Sequence, residues 1–78
     1  MSFLPLNLQV ARVGAALEAI GFELMDTAPA GLVEYWLPYT TTTVVFQDSP
    51  YQEMRHMLQY LARSLTDAQM SAFMEALG

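Results

Sequence analysis

The residues best suited to acid–base chemistry are a single histidine and its nearest carboxylate. His56 is the only imidazole, and Glu53 precedes it by three residues, so both lie on one side of any helix formed there. Such a pair can act as a general base only where a pocket fixes both groups. Because His56 follows Arg55 on the polar side of an apolar stripe, we interpret it as a solvated surface histidine.

Two further carboxylates, Glu23 and Glu34, fall in segments that read as neighbouring strands. Paired carboxylates can serve as acid and base or bind a hard cation, but no third ligand accompanies them. The chain has no cysteine, and its four glycines are scattered rather than gathered in a phosphate-binding loop. We therefore predict no catalytic residues, no metal and no cofactor.

Two kinds of large apolar residue could contact a partner. The methionines near the carboxyl end could form an adaptable groove, although their helical spacing favours an ordinary core: Met54, Met57, Met70 and Met74. The single tryptophan, Trp36, stands among β-branched and aromatic residues. Tryptophan is enriched at protein interfaces, and the sequence leaves interface and core equally open for it.

The chain is short, strongly apolar and acidic. Its 78 residues are 54% hydrophobic and 14% charged, with a net charge of −5 at pH 7. A domain of this size buries only about 60% of the surface that its unfolded chain exposes. Since no disulfide can assist, we expect a homodimer to supply further burial. The acidic balance opposes direct binding of nucleic acid, which needs clustered Lys and Arg.

The segment MSFLPLNLQVARVG, residues 1–14, places no basic group ahead of its first apolar residues. The sequence also contains no unbroken apolar run long enough to cross a bilayer. We therefore expect no export signal and no membrane contact. A cytoplasmic location is the corresponding expectation.

Residues 8–20 show the apolar period of an amphipathic helix. Apolar side chains recur there at spacings of three and four: Val10, Val13, Leu17 and Ile20. Asn7 is the predicted N-cap. Gly21 is predicted to adopt the left-handed conformation after the helix, with Phe22 packing on Leu17 as in a Schellman ending.

Three segments after this helix are predicted to form strands. GFELMD, residues 21–26, alternates apolar and polar side chains and leads into the turn-forming TAPAG. Residues 32–37 and 41–47 are rich in β-branched and aromatic side chains. Pro38 lies between them and lacks the N–H that a continuous strand would use, so the two segments predict a hairpin.

The stretch DSPYQEM, residues 48–54, has the pattern of a helix start. Ser49 is the predicted N-cap, Pro50 the first helical residue, and Gln52 the second half of a capping box. An apolar stripe follows at helical spacing: Met54, Met57, Leu58, Leu61 and Leu65. We expect Leu58 and Leu61 to be core residues.

A second capping box, Thr66 with Gln69, predicts a further short helix. Its apolar residues share one face: Met70, Phe73, Met74 and Leu77. Gly78 is the predicted end of this helix.

The predicted order is α-β-β-β-α-α, in one α+β domain over residues 1–78. The simplest architecture is two-layer, a three-stranded antiparallel sheet with helices on one face. Alternation assigns one set of side chains to the helices: Phe22, Leu24, Val33, Tyr35, Leu37, Val44 and Phe46. The opposite face is then expected to be apolar at its centre and acidic at its rim: Glu23, Met25, Leu32, Glu34, Trp36, Thr43, Val45 and Gln47.

With no element left to cover it, this opposite face is the predicted protein-binding surface. The residues assigned to partner binding are Met25, Leu32, Glu34, Trp36, Thr43 and Val45. We expect the partner to be another protein or a second copy of the chain.

The α-β-β-β-α order, with GFELMD after the first helix, resembles that of small double-stranded-RNA-binding domains and HicA-type toxin domains. This resemblance implies an RNA-related or nuclease-like activity. The toxins depend on a histidine in the sheet region and on basic charge, whereas residues 21–48 contain no histidine and the chain is acidic. In composition the chain also resembles small secretion chaperones and the inhibitory proteins of mobile elements.

These observations favour a non-enzymatic protein-interaction module, a small acidic adaptor, chaperone-like protein or inhibitor. Two alternatives stay open. One is a nuclease-like enzyme that uses His56 with Glu53. The other is an acidic nucleic-acid mimic that inhibits a nucleic-acid-binding protein.

Overall fold

A computed structural model describes residues 7–78 as three helices and two antiparallel sheets, which confirms the α+β class. In chain order the elements are β1 (Asn7–Gln9), α1 (Val10–Ala19), β2 (Glu23–Met25), β3 (Leu32–Trp36), β4 (Thr43–Gln47), β5 (Tyr51–Glu53), α2 (Met54–Ser64) and α3 (Asp67–Leu77). The predicted order was therefore wrong by two short strands, β1 and β5. The predicted domain also included residues 1–6, which lie outside the described part of the chain.

The two unforeseen strands pair with each other. Asn7 lies opposite Glu53, and Gln9 lies opposite Tyr51, in an antiparallel register. The ladder continues one step further, because the Val10 N–H donates to the Pro50 carbonyl at 3.0 Å. Since β1 leads directly into α1 and β5 directly into α2, this small sheet holds the starts of two helices side by side.

The first predicted helix start was wrong by two residues. Asn7 does not cap α1, because its backbone belongs to the β1 ladder. The helix begins at Val10, and Gln9 occupies the N-cap position without a side-chain capping bond.

Within the described residues, no helix combines the length and apolar character that a bilayer crossing requires.

The predicted capping box of Ser49 and Gln52 was also wrong, although its polar side chains do interact. The Ser49 hydroxyl donates to the Tyr51 carbonyl at 2.9 Å, and the Gln52 Nε2 donates to the Ser49 Oγ at 3.1 Å. These bonds hold a turn instead of a helix end. Because β5 pairs with β1, α2 begins only at Met54.

The predicted end of α1 is confirmed, apart from one residue in its length. Gly21 has φ of 106°, and its N–H donates to the Glu18 carbonyl at 3.0 Å. The Phe22 N–H reaches back to the Leu17 carbonyl at 2.9 Å, which completes a Schellman motif. Phe22 and Leu17 are both buried in the core.

The second predicted capping box is confirmed at the start of α3. The Thr66 Oγ1 accepts from the Gln69 N–H at 3.1 Å, and the Gln69 Oε1 accepts from the Thr66 N–H at 2.8 Å. Two donors that the helix leaves unpaired are thereby satisfied. At the other end, the Gly78 N–H donates to the Met74 carbonyl.

The larger sheet has the strand order β2-β3-β4, and both pairs are antiparallel. Its register puts Leu24, Tyr35 and Val44 in one cross-strand row, with Val33 and Phe46 in the next row on the same face. We call this face the inner face. Three of its side chains are buried together with side chains from all three helices.

The core is a single cluster to which every helix contributes. Its buried members are Leu8, Val10, Val13, Ala16, Leu17, Phe22, Tyr35, Val44, Phe46, Met57, Leu61, Leu65 and Phe73. Two expectations need correction. Leu24 belongs to the inner face but is 58% exposed, and it lies on an edge strand of the sheet. Leu58 is half-buried and packs against the cluster, whereas Leu61 is fully buried.

The positive φ of Gly21 generates the first prediction. Gly21→Val should lower the free energy of unfolding by about 1 kcal/mol or more, because a β-branched residue is forced into the left-handed region. Gly21→Asn is the control, since asparagine tolerates this conformation better. Urea unfolding of both variants measures the difference, and equal stability of Gly21→Val and the parent would contradict the assigned helix end.

The unequal burial of two leucines in α2 leads to the second prediction. Leu61→Ala should cost about 2–5 kcal/mol, a large part of the stability of so small a domain. Leu58→Ala should cost clearly less, since part of this side chain is already in water. Thermal unfolding followed by circular dichroism compares them. A larger loss for Leu58→Ala would mean that α2 is rotated about its axis.

Candidate functional site

The six residues assigned to partner binding share one face of the larger sheet, opposite the inner face. We call it the open face. One cross-strand row contains Glu23, Trp36 and Thr43, and the next contains Met25, Glu34 and Val45. The last row pairs Leu32 with Gln47. The alternation along the strands therefore predicted correctly that these side chains share a face of the sheet. Their role in partner binding stays a prediction.

The centre of the open face differs from the expectation. Glu34 lies on the middle strand, directly between Met25 and Val45 on the two neighbouring strands. Leu32 and Trp36, two positions away along β3, complete the surroundings on the same face. A half-buried carboxylate thus occupies the middle of an apolar ring, where the sequence pattern had suggested an acidic rim.

Exposure is graded across this surface. Thr43 is exposed, and Leu32 is 38% exposed. Met25, Trp36 and Val45 are half-buried. Each apolar side chain therefore retains surface that a docked protein could cover. The ionisable residues of the face, Glu23 and Glu34, are both acidic.

The loop between β3 and β4 fixes the indole of Trp36. The Trp36 Nε1–H donates to the Thr40 carbonyl at 3.0 Å. Thr40 is held in turn, since its hydroxyl donates to the Leu37 carbonyl at 2.7 Å and accepts from the Thr42 N–H at 3.1 Å. Part of the threonine run therefore builds the loop, and the strand begins only at Thr43. The tryptophan is ordered before any partner arrives.

The two edges of the sheet are unlike. On the β4 edge, the Val45 N–H donates to the Tyr60 hydroxyl of α2 at 2.8 Å. Farther along the same edge, the Gln47 carbonyl accepts from the Ser49 N–H at 3.0 Å and from the Gln52 Nε2 at 3.4 Å. The outward-pointing Val45 N–H and Gln47 carbonyl of β4 are therefore hydrogen-bonded, the first by α2 and the second by the segment that follows β4. The sequence reading missed Tyr60, whose polar tip beside an apolar stripe was the available signal.

An open groove of about 720 Å³ lies where the helices leave part of the inner face uncovered. Its lining residues are Gln9, Val10, Ala11, Leu24, Val33, Tyr35, Phe46, Asp48, Ser49, Pro50 and Tyr51. Most of the surface inside it is apolar. Periodicity along the chain could not predict this groove, because it is lined by residues of β1, β5 and the larger sheet that are distant in sequence.

Tyr35 lies at the closest approach between α1 and the sheet. A Cβ atom built on Gly14 would overlap the Tyr35 hydroxyl, so the missing side chain at Gly14 makes room for the phenol. Burial, and secondly the negative charge of Glu18, raise the pKa of the Tyr35 phenol above its usual value. The ring also stacks on Phe46 at a centroid distance of 6.1 Å. The neutral phenol is thus a structural group of the core.

The candidate catalytic groups are not assembled into a site. The His56 Nδ1 lies 3.8 Å from the Glu53 Oε2, but the two side chains are 75% and 52% exposed. Neither residue lines the groove. A pair so freely solvated lacks the fixed, enclosed geometry that general base catalysis needs.

The carboxylates Glu23 and Glu34 and the methionines near the carboxyl end also form no recognisable site. Glu23 faces Trp36 across the strands while Glu34 faces Met25, so the two carboxylates are diagonal neighbours. Among residues 7–78, no three His, Cys, Asp or Glu side chains are grouped in a way that could hold a metal ion. Of the four methionines near the carboxyl end, Met57 is buried, Met54 and Met70 pack against the core, and Met74 is 44% exposed.

The chain matches no protein-family model, and comparison with curated proteins and with solved structures found no significant match.

The contact between Gly14 and Tyr35 generates a prediction with an unusual sign. Helix propensity alone would make Gly14→Ala stabilising by about 1 kcal/mol. We expect destabilisation of about 1–3 kcal/mol instead, because the new methyl group displaces the Tyr35 hydroxyl in a packed core. The double variant Gly14→Ala/Tyr35→Phe should recover part of this loss. Urea unfolding measures the stability of each variant. A Gly14→Ala variant more stable than the parent would contradict the close contact between Gly14 and the Tyr35 hydroxyl.

Proposed function

We propose that this protein is a non-enzymatic interaction module, an adaptor or inhibitor, that binds another protein through its open face. In this proposal the helices form one layer and the larger sheet forms the other. The observation that supports it best is the arrangement around Glu34, with four apolar side chains surrounding one carboxylate on a face opposite the core: Met25, Leu32, Trp36 and Val45.

This arrangement resembles the centre of a binding surface more than it resembles a solvated sheet. Binding energy at interfaces concentrates in a few central side chains, often aromatic or charged, that neighbouring contacts shield from water. Trp36 supplies a large side chain already fixed by its bond to the Thr40 carbonyl, so little conformational entropy is lost on docking. Glu34 supplies a charge that a partner must match.

The charge of Glu34 selects between the two partners expected from the sequence. A second copy docked face to face about a two-fold axis would bring two Glu34 side chains together and remove both from water. Desolvated like charges cost several kcal/mol, as an order of magnitude. We therefore assign the open face to a different protein that presents Lys or Arg opposite Glu34, and we expect no face-to-face homodimer while Glu34 is charged.

The lack of an enclosed acid–base pair argues against the nuclease-like alternative, since His56 and Glu53 are both in solvent. The alternative of an acidic nucleic-acid mimic also requires a basic partner. In that alternative, however, ion pairs alone would provide the binding affinity, and the apolar side chains of the open face would contribute nothing. Loss of binding through an uncharged truncation of an apolar residue, such as Val45→Ala, therefore distinguishes the two.

Val45→Lys is the direct test of the open face. A lysine there can extend into water or pair with Glu34, its cross-strand neighbour, in the free protein. In the complex it would compete with the partner's cation for Glu34 and place two positive charges side by side. We expect an unchanged far-ultraviolet circular dichroism spectrum and at least about a thirtyfold weaker affinity, as for a central interface residue. The partner is captured with the wild-type protein, purified and titrated into each variant by calorimetry.

Two matched variants complete this experiment. Gln59→Lys adds the same charge on an exposed position of α2 and should bind as the wild type does. Glu34→Gln should weaken binding and reduce its dependence on salt, because one charge-assisted contact is lost. Wild-type affinity of the folded Val45→Lys variant would refute the assignment of the open face.

A further inference from the structure

The outer edge of β2 carries backbone groups that make no hydrogen bond with any other residue of 7–78. The Gly31 carbonyl accepts from the Asp48 N–H, and the Leu37 N–H donates to the Thr42 carbonyl, so the odd-numbered residues of β3 point their backbone groups toward β4. The even-numbered residues therefore point toward β2. In that register Glu23 and Met25 bond to β3, whereas the N–H and the carbonyl of Leu24 both point outward.

This edge differs from the one formed by β4. There the Val45 N–H is bonded to the Tyr60 hydroxyl, and the Gln47 carbonyl accepts two hydrogen bonds. Neither outward group of Leu24 has a partner within residues 7–78. Natural proteins usually cover or interrupt sheet edges, since an unpaired ladder is a template for another strand.

The side chain of Leu24 links this edge to the groove. It is 58% exposed and forms part of the groove lining, beside Val33, Tyr35 and Phe46. In an antiparallel pair, residues directly opposite each other project to the same face. The residue of an added strand that pairs with Leu24 would therefore direct its side chain toward the groove, and an apolar side chain there would be shielded from water.

The charges around this edge are all of one sign. Glu23 lies on β2, Asp26 follows it directly, and Asp48 lines the groove. The three basic residues of the chain lie on α1 and α2: Arg12, Arg55 and Arg63. Arg12 is engaged with the Leu77 carbonyl at 2.7 Å. A cationic segment would meet carboxylates here, whereas an acidic one would be repelled.

We propose that the β2 edge binds an extended segment of a basic polypeptide as an additional antiparallel strand. The segment exchanges two backbone hydrogen bonds with Leu24. It places an apolar side chain in the groove and Lys or Arg side chains opposite Glu23 and beside Asp26. Apart from Glu23, which borders both surfaces, this surface lies at the edge of the sheet and not on the open face, so the inference goes beyond the function proposed above.

Synthetic peptides test the inference on the wild-type protein. The first probe has about nine residues and alternates lysine with leucine or valine, as a strand with one apolar face requires. The second probe replaces each lysine by glutamate. The third is the first peptide with its central backbone nitrogen methylated, which removes the N–H that would bond to the Leu24 carbonyl. Isothermal titration calorimetry measures all three.

The expected results separate strand addition from simple charge attraction. The lysine peptide should bind, more weakly as salt rises from about 0.05 M to about 0.5 M. The glutamate peptide should bind at least about tenfold more weakly because it meets like charges. The N-methylated peptide should also lose about tenfold, the effect of one hydrogen bond. Equal binding of the lysine peptide and its N-methylated form would overturn the inference.

Leu24→Pro tests the protein side of the same hydrogen bonds. Proline is tolerated on an edge strand where the missing N–H faces solvent, so the β2–β3 pairing should survive. The variant should lose the peptide by about tenfold or more, whereas the control Leu24→Ala, which keeps the N–H, should lose less. Should Leu24→Pro unfold, the comparison of the methylated and unmethylated peptides on wild-type protein still decides.

Amide chemical shifts identify where the lysine peptide binds. Residues 23–26 should shift on titration, while the amides of 43–45 should not. Shifts confined to Leu32, Trp36 and residues 43–45, with none at residues 23–26, would overturn the inference. Light scattering that shows a dimer which Leu24→Pro converts to a monomer would also overturn it, since a second copy would then occupy the edge. Because the peptides contact β2 and not Trp36, their failure would leave the proposed function of the open face untested and unchanged.

Discussion

The fold depends on one core in which side chains of three short helices meet side chains of the larger sheet. Helices of 10 or 11 residues contribute Leu17, Leu61 and Phe73, among others, to this single buried cluster. Gly14 lets α1 come close enough for the Tyr35 ring to be enclosed. Among residues 7–78 there is no further helix beyond these three.

The two edges of the larger sheet differ in whether another element lies against them. Helix α2 lies against β4, where its Tyr60 hydroxyl accepts from the Val45 N–H. On the other side, β2 is only three residues long, and the backbone of Leu24 points away from the sheet. Both proposed binding surfaces are therefore places where folding left apolar or hydrogen-bonding groups without a partner. Both surfaces are acidic, so both favour partners that carry positive charge.

Periodicity and local chemistry predicted a large part of this structure. The left-handed Gly21, the capping box of Thr66 with Gln69 and the membership of both sheet faces all follow from contacts between residues close in sequence or from alternation along a strand. Strands β1 and β5 were missed because three residues give no readable period and their pairing joins segments more than 40 positions apart. Ser49 and Gln52 have the residue types and spacing of a capping box, but their side chains make different hydrogen bonds within a turn, which local sequence does not reveal.

The character of the candidate surface could be predicted only in part. Alternation shows which side chains share a face, but it does not show which strand is central. Glu34 was therefore expected at a rim and lies at the middle of the open face, because β3 is the central strand. The exposure of Leu24 likewise depends on the position of β2 at the edge of the sheet, which is a property of the tertiary structure and not of the local sequence.

Residue-resolved amide hydrogen exchange of the dilute protein tests most directly the claim that the two sheet edges differ. The Val45 amide should exchange slowly, because reaching water requires release from the Tyr60 hydroxyl, and Tyr60→Phe should speed it. The Leu24 amide should exchange almost as fast as in an unfolded chain, although Glu23 and Met25 on either side are protected by β3. Protection of Leu24 equal to that of Val45 would contradict the account, because the β2 edge would then already be occupied.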